Sequence, residues 1–594
     1  MLKRFLLLLL GAALLFSGCS GAAAEERVLV VIEEIEGCTI ENNGQLVTPG
    51  EDAIFTLTFD YGLSLAGTDY DGKTRTETSK RTTTLTLTDV RYPTRVSLSL
   101  TRSYAEITYH ANGGYALHSV EDAITKSYSL NNHTRPNTDT GTDLFAREGC
   151  TLVCWNTEAD GSGTRVGLGS RVSVPAGTLD LYAQWAEWTD ASCFTCTAGD
   201  SITITGYSGS ADPIVIPEII DGLDVTAIAT GTFQNCDAQT IILPKSMDYV
   251  ESGAFQDCAV QNLVLFDNII SIRDDSFTDC DALQTLYINA IESPFGYIYR
   301  KESCYADKVD LLINAQGKQK LVFYGGCSMW YNLDGFLVLQ ALGEDYAIIN
   351  MGLNGTVNSL VQMQIMGVFL ESGDILLHTP ELSSRQQLLT NTDMRDTDKS
   401  LWSGIENNYD LSTYVNLTTL GGVFDSLCSY LDRKDGRTTY TQYYTDDQEH
   451  SFQDPLGCIP FVRTQTEDEL EDNVYLDPRR IDESSMARLK SYYDWYQNKG
   501  VRVYVSYACV NMDAVPEEQR GNVETVDAAF RSAIEAMDGP TLISDLEDFL
   551  YSNEDFYDTN YHLLSEPARE NTSIWLRDLL AQMEADGLWE GDGQ

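Results

Sequence analysis

The spacing of apolar and polar positions changes character several times along the chain. An opening apolar run over residues 5–16 follows Met1-Leu2-Lys3-Arg4 and leads into Ser17-Gly18-Cys19-Ser20. It is too short to span a bilayer as a stable helix and has the basic, apolar, small-residue order of a secretory signal. Residues 26–101 then alternate with period two, as in Ala53-Ile54-Phe55-Thr56-Leu57-Thr58-Phe59 and Thr83-Thr84-Leu85-Thr86-Leu87-Thr88. Each such strand has one apolar and one Thr-rich face, which predicts a small β-sandwich-like module. Residues 102–187 carry three landmarks: Ile107-Thr108-Tyr109-His110-Ala111-Asn112-Gly113-Gly114, Gly149-Cys150-Thr151-Leu152-Val153-Cys154-Trp155 and Leu181-Tyr182-Ala183-Gln184-Trp185. Over 188–291 a longer period appears. Phe233, Phe255 and Phe277 each stand three residues before Cys236, Cys258 and Cys280, with short apolar runs such as Ile241-Ile242-Leu243 and Leu263-Val264-Leu265 between them. Phe and Cys at constant phase predict three to four stacked units that bury one continuous core between neighbours.

Beyond residue 292 short β-branched runs alternate with longer segments of helical periodicity. Residues 320–324, 346–350, 374–378 and 501–505 read as strands, and 333–342, 357–370, 485–497, 523–537 and 567–585 as helices. Strands separated by helices imply right-handed crossovers and a mostly parallel, doubly wound sheet. Ligands of such sheets bind at the carboxyl ends of the strands. The chain therefore reads as multidomain: all-β N-terminal modules, a short solenoid, then an α/β three-layer domain over 292–594.

Composition narrows the partners. A net charge of −50 over 594 residues disfavours nucleic acid, which needs a basic footprint. It reads mainly as solubility at a surface. Export permits disulfides among the fourteen Cys, but three of them recur in the repeat, where a thiol serves as a small buried hydrophobe. Cys193-Phe194-Thr195-Cys196 has no second pair at zinc-site spacing, so a local disulfide or free thiols are expected there and no metal site.

Three strand ends carry turn-forming polar text. In Gly325-Gly326-Cys327-Ser328 the glycines turn the chain sharply and put Ser328 at a helix start, where backbone N–H groups and the helix dipole suit an oxyanion. Asn350-Met351-Gly352-Leu353-Asn354-Gly355 is a loop whose glycines allow close backbone approach to a ligand. The third end is His378-Thr379-Pro380-Glu381. Late in the chain Asp558 stands four residues before His562, in a loop that leads into the last helix. A serine hydroxyl is a poor nucleophile at neutral pH and needs a base oriented by a carboxylate, and that loop could deliver both. His378 reads as a satisfied core or loop histidine, and Glu381 as a helix-start carboxylate able to line the site. Cys327 reads as facing the core.

Several of these stretches resemble known families. The approach to Cys19 resembles the bacterial lipobox, with Phe16 where that motif has Leu. It implies a signal peptide over 1–18, a lipidated tether over 19–25, and an extracytoplasmic protein held to the cell membrane by lipid on Cys19. The segment closing with Tyr182-Ala183-Gln184-Trp185 is similar to the Listeria–Bacteroides repeat, a small β-grasp-like module of bacterial surface proteins. The array over 188–291 resembles BspA-type leucine-rich repeats, serving here as a rigid spacer or as a ligand-binding surface. Residues 296–594 resemble the SGNH/GDSL hydrolase superfamily, flavodoxin-like in fold, which includes acyl-transfer proteins of cell-envelope polymers. Ser328 would then be the nucleophile, with Gly326-Cys327-Ser328 in place of the usual Gly-Asp-Ser. Gly355 matches the second-block glycine whose N–H joins that of Ser328 in the oxyanion hole, with Asn354 beside it. Asp558 and His562 match the terminal block, although four positions separate them where three is commonest. The third block offers His378 and Glu381 but no Asn, and loss of one oxyanion donor costs roughly 10²–10³ in turnover.

The resemblance implies a surface lipoprotein whose last domain hydrolyses or transfers an O-acyl group on an envelope or host glycan, without metal or organic cofactor. The alternative is an adhesin or scaffold whose repeats bind a protein ligand beside a catalytically silent domain. In both, the N-terminal modules would hold the last domain away from the membrane.

Overall fold

The structure is a computed structural model. It describes residues 27–589 apart from 36, 60–62, 71, 80–81, 103, 130–134, 175–176, 292–303, 344, 354–358, 383–401, 403–404, 406–407, 416–421, 436–455, 460–462, 465–469 and 471–473. Cys19, with the expected signal and tether, lies outside the described residues, as do Asn354 and Gly355. The chain divides into two compact units, one of residues 1–106, 127–131 and 175–178, the other of 107–126, 132–174 and 179–594.

In the first unit, Cys38–Glu41, Glu51–Phe59, Thr82–Val90 and Thr74–Ser79 form an antiparallel sheet, and Gln45–Val47, Val28–Ile32 and Thr94–Val96 form a second. Val30, Ile32, Phe55, Leu57, Leu85, Leu87 and Val96 from both sheets share one core. Leu85 and Leu87 are buried while Thr84 and Thr86 are half-buried, the outcome that period-two alternation requires.

In the second unit the strand Cys150–Asn156 pairs antiparallel with Arg165–Val166 and with residues 182–187. The aromatic landmarks anchor this part: the Trp155 indole donates to the Asp139 carbonyl at 2.7 Å and that of Trp185 to Ala111 at 2.8 Å. The solenoid follows, its parallel strands Ile214–Val215, Thr240–Ile242, Asn262–Phe266 and Thr285–Asn289 stacked in chain order. Phe233, Phe255 and Phe277 form a column of rings, 5.1 and 4.8 Å apart and within 6° of parallel. Asn235, Asp257 and Asp279, one before each repeat Cys, take left-handed backbone with φ of 57°, 56° and 59°. Asn and Asp tolerate that conformation because their short polar side chains bond locally. Cys258 and Cys280 are buried and Cys236 half-buried.

The column continues past the repeats. Phe424, on the helix Val423–Asp435, stacks on Phe277 at 4.8 Å, and Asp274 accepts from the Phe424 N–H at 3.0 Å. A last repeat lacks a neighbour to cover it, and the α/β half supplies one. Arg171, almost without exposure, pairs with Asp307 at 2.5 Å and Asp310 at 2.9 Å, and Arg135 adds a bond to Asp310 at 2.6 Å. Solenoid and α/β half share one continuous hydrophobic core. The solenoid thus packs directly on the last domain, an arrangement that fits a rigid spacer and a ligand-binding surface alike.

In the α/β half, β1 (Lys320–Gly325), β2 (Ala347–Asn350), β3 (Ile375–Thr379), β4 (Arg502–Val505) and β5 (Thr541–Leu542) are all parallel, in the order β2-β1-β3-β4-β5. That is a doubly wound order, with its crevice where the direction of winding reverses, between β1 and β3. Every residue of β1 and β3 is buried, as central strands covered on both faces must be. Among the described residues the helices are α1 (Cys304–Asn314), α2 (Cys327–Asn332), α3 (Gly335–Leu342), α4 (Ser359–Phe369), α5 (Val423–Asp435), α6 (Glu483–Asn498), α7 (Val523–Glu535) and α8 (Ser565–Ala585). The helix expected over 333–342 starts at Gly335 because Asp334 caps it, accepting from the Leu337 N–H at 3.0 Å.

Candidate functional site

The carboxyl end of β1 runs directly into α2, and its two glycines are required for space. A Cβ on Gly325 would lie 2.7 Å from Thr379 Oγ1, and one on Gly326 would lie 2.5 Å from the carboxyl carbon of Glu381. Thr379 is the register partner of Gly325 on β3, so Glu381, two residues on, reaches over Gly326 to the first turn of α2. Its Oε1 accepts from the Ser328 N–H at 3.0 Å and from the Ser328 hydroxyl at 2.7 Å, with Cys327 Sγ 3.9 Å away. Ser328 has no exposed surface and Glu381 is 7% exposed. Burial pushes the Glu381 carboxyl above the usual range, and its bonds from Ser328 and Cys327 oppose that shift.

Two expectations change here. With six residues α2 is too short for a helix dipole to be the main support of an anion at Ser328, and the Ser328 N–H expected to face an oxyanion is already occupied by Glu381. Cys327 is half-buried and Ser328 fully enclosed. Burial, reinforced by Glu381, Cys509 and Asp558, pushes the Cys327 thiol well above its usual pKa.

Asp558 and His562 meet as expected, with Oδ1 2.6 Å from the imidazole Nδ1. Their four-residue spacing works because the loop doubles back: Phe556 bridges to Leu563 and the Tyr557 N–H donates to the His562 carbonyl at 2.8 Å. The imidazole lies flat on Tyr331, 3.5 Å away and 4° from parallel. Asn332 then grips the backbone on both sides of His562, donating to the Tyr561 carbonyl at 3.0 Å and accepting from the Leu563 N–H at 2.9 Å. Arg463 bonds the Leu563 carbonyl at 2.9 Å and that of Tyr331 at 2.7 Å. Ser328, Tyr331 and Asn332 are three and four residues apart and share one face of α2, so one short helix carries the serine and holds the histidine loop. Of the two imidazole nitrogens, Nδ1 is thus held by the Asp558 carboxylate.

His378 is a core residue. Its Nδ1 lies 2.6 Å from the Tyr493 hydroxyl of α6 and its ring packs 4.8 Å from Tyr324, and burial holds its pKa down at about 3. Asn332, Tyr331 and Arg463 escaped the sequence reading. The one local signal for Asn332 was a polar residue one turn after Ser328 in an otherwise apolar segment. Arg463 lies 132 residues from Tyr331, and no pattern links them. Among the described residues no group of three or more His, Cys, Asp or Glu could hold a metal ion, and no helix is long and apolar enough to cross a membrane.

No curated protein matches the chain. Among solved structures it is similar to the T. pallidum leucine rich repeat protein, at 25% identity over 23% of this chain and 61% of that one, with a TM-score of 0.17; the chain thus spans about three fifths of that protein's length. Residues 214–314 match the BspA type leucine rich repeat region in six copies, more than the three to four units read from the Phe and Cys phase, and the match extends through α1. The solenoid of this chain is built of BspA-type leucine-rich repeats.

Proposed function

We propose that the α/β half is a serine esterase or O-acyltransferase of the SGNH type, acting on an acylated envelope or host glycan, in a protein held at the bacterial surface by lipid on Cys19. The observation that carries this reading is the Asp558–His562 pair at 2.6 Å, bound through Asn332 to the helix that bears Ser328. His562 takes the Ser328 proton on Nε2, Asp558 fixes the tautomer through Nδ1, and Ser328 Oγ attacks the ester carbonyl to give an acyl-enzyme. The N–H groups of Ser328 and Gly355 receive the oxyanion, and water or an acceptor hydroxyl releases the acyl group. The BspA-type repeats support a surface or binding role for the rest of the chain. Turnover of p-nitrophenyl acetate by the full chain and by Ser328→Ala tests the chemistry. The expected result is activity in the parent that the variant loses; equal rates, with no fluorophosphonate label on Ser328, would discard it.

A second reading, a silent adhesin or scaffold whose repeats hold a protein ligand, is favoured by the complete burial of Ser328. It predicts ligand capture by the solenoid that Ser328→Ala and His562→Ala leave unchanged.

A further inference from the structure

Glu381 sits on both groups that the first chemical step needs. Its Oε1 takes the Ser328 N–H at 3.0 Å, the donor that would receive a substrate carbonyl oxygen, and the Ser328 hydroxyl at 2.7 Å, whose proton must pass to His562. Both bonds converge on one oxygen atom. A carbonyl oxygen and Glu381 Oε1 therefore compete for a single place.

That place is shaped around the carboxylate. Any side chain at position 326 would collide with it, since even a Cβ there falls 2.5 Å from the Glu381 carboxyl carbon. The pairing of Gly325 with Thr379 sets Glu381 at this height over α2. Ser328 has no exposed surface, so an ester reaches its Oγ only if a neighbour moves. The neighbour on the hydroxyl is Glu381. Its side chain has three rotatable bonds and comes from the chain just beyond β3, whereas the His562 imidazole is fixed by Asp558, Tyr331 and the Asn332 grip.

We propose that Glu381 is a built-in occupant of the acyl-oxygen seat, and that the α/β half is latent until the Glu381 side chain swings off Ser328; this rests on the esterase reading. The swing breaks no covalent bond. It frees the N–H for the carbonyl oxygen and leaves the hydroxyl to turn to His562. The occupant is chemically a short carboxylic acid anion, the same class as the acid released by ester hydrolysis, so a small carboxylate product fits the seat that Glu381 vacates.

The opposite role for Glu381, a general base acting on Ser328, makes the opposite prediction, and one experiment separates them. The full chain and its Glu381→Ala, Glu381→Gln and Ser328→Ala forms are treated with a fluorophosphonate probe, with melting curves to confirm folding, and the labelling rate at residue 328 is followed. Removal of the occupant is expected to speed labelling in Glu381→Ala by roughly ten- to a hundredfold, the factor carried by a charge-assisted hydrogen bond. Glu381→Gln is expected to gain less, because an amide oxygen can accept the same bonds without the charge; it also keeps the test alive if Glu381→Ala does not fold. Addition of His562→Ala is expected to abolish both gains. Labelling equal to or slower than the parent in both Glu381 forms overturns the occupant and leaves the esterase reading standing. Absence of label on Ser328 in every form discards the esterase reading and this inference with it.

Discussion

In the solenoid a side chain is placed by its nearest copy, whereas at the candidate site it is placed by partners far away in sequence. Phe255 lies between Phe233 and Phe277 because the same turn recurs at a fixed period. His562 lies on Tyr331 because Asn332, 231 residues before Leu563, captures the loop backbone. The first arrangement is redundant and apolar, and it spreads its stabilisation over every ring in the column. The second hangs on a few directional bonds. Their junction is instructive: the column is continued by Phe424 of α5, so a region that looked self-contained needs the α/β half to cover its last ring.

The largest effect that sharpens this contrast is expected at the site itself. His562→Ala should cut esterase turnover by about 10⁴-fold while leaving the denaturation midpoint close to the parent's, as steady-state kinetics and urea melts would show; a loss of folding in parallel would mean that the imidazole is a packing residue like the Phe rings. Phe255→Ala should do the reverse to the fold, destabilising it by about 3–5 kcal/mol. Because solenoid and α/β half share a core, the loss should appear in a single transition. Two separated transitions, with the esterase surviving the first, would break the claim that the two regions stand together.

A third effect is set by pH. His378 is neutral in the fold, with its pKa held at about 3 against an ordinary 6.5. The unfolded chain therefore gains a proton first as the pH falls, and stability drops from about pH 6.5 downward until the folded form also protonates near pH 3. The loss should reach about 3 kcal/mol by roughly pH 4.5, and His378→Gln should flatten that part of the stability profile in urea titrations. An unchanged slope would show that other groups carry the acid sensitivity. The smallest effect is expected for Asn332→Ala, which unties the loop without touching the reacting atoms: kcat should fall roughly 10- to 100-fold with KM little changed. Asn332→Asp, able to accept from the Leu563 N–H but not to donate to the Tyr561 carbonyl, should recover part of it.

Much of this was legible in the chain. Residues 320–324 and 374–378 announced themselves as short strand-like runs, and they fall on the buried central strands β1 and β3. Asp558 and His562 could be paired because a single loop carries both. Glu381 could be named as a possible lining residue, but its grip on Ser328 could not be foreseen, because it depends on the β1–β3 register and on the missing side chain of Gly326. The packing of the solenoid on the last domain was hidden for the same kind of reason. The ion pairs of Arg171 and Arg135 with Asp307 and Asp310 join segments that no local pattern connects.

By itself, then, the order of residues determined what depends on near neighbours: the alternating strands, the repeat phase of Phe and Cys, the succession of strands and helices, and the turn that presents Ser328. These follow from backbone sterics and from the burial of one face, which act over a few residues. Only the tertiary structure decided that Glu381 occupies Ser328, that Asn332 carries the His562 loop, and that α5 closes the solenoid. Hydrogen bonds and ring contacts between distant segments exist only once the sheet register and the shared core have fixed where each segment lies.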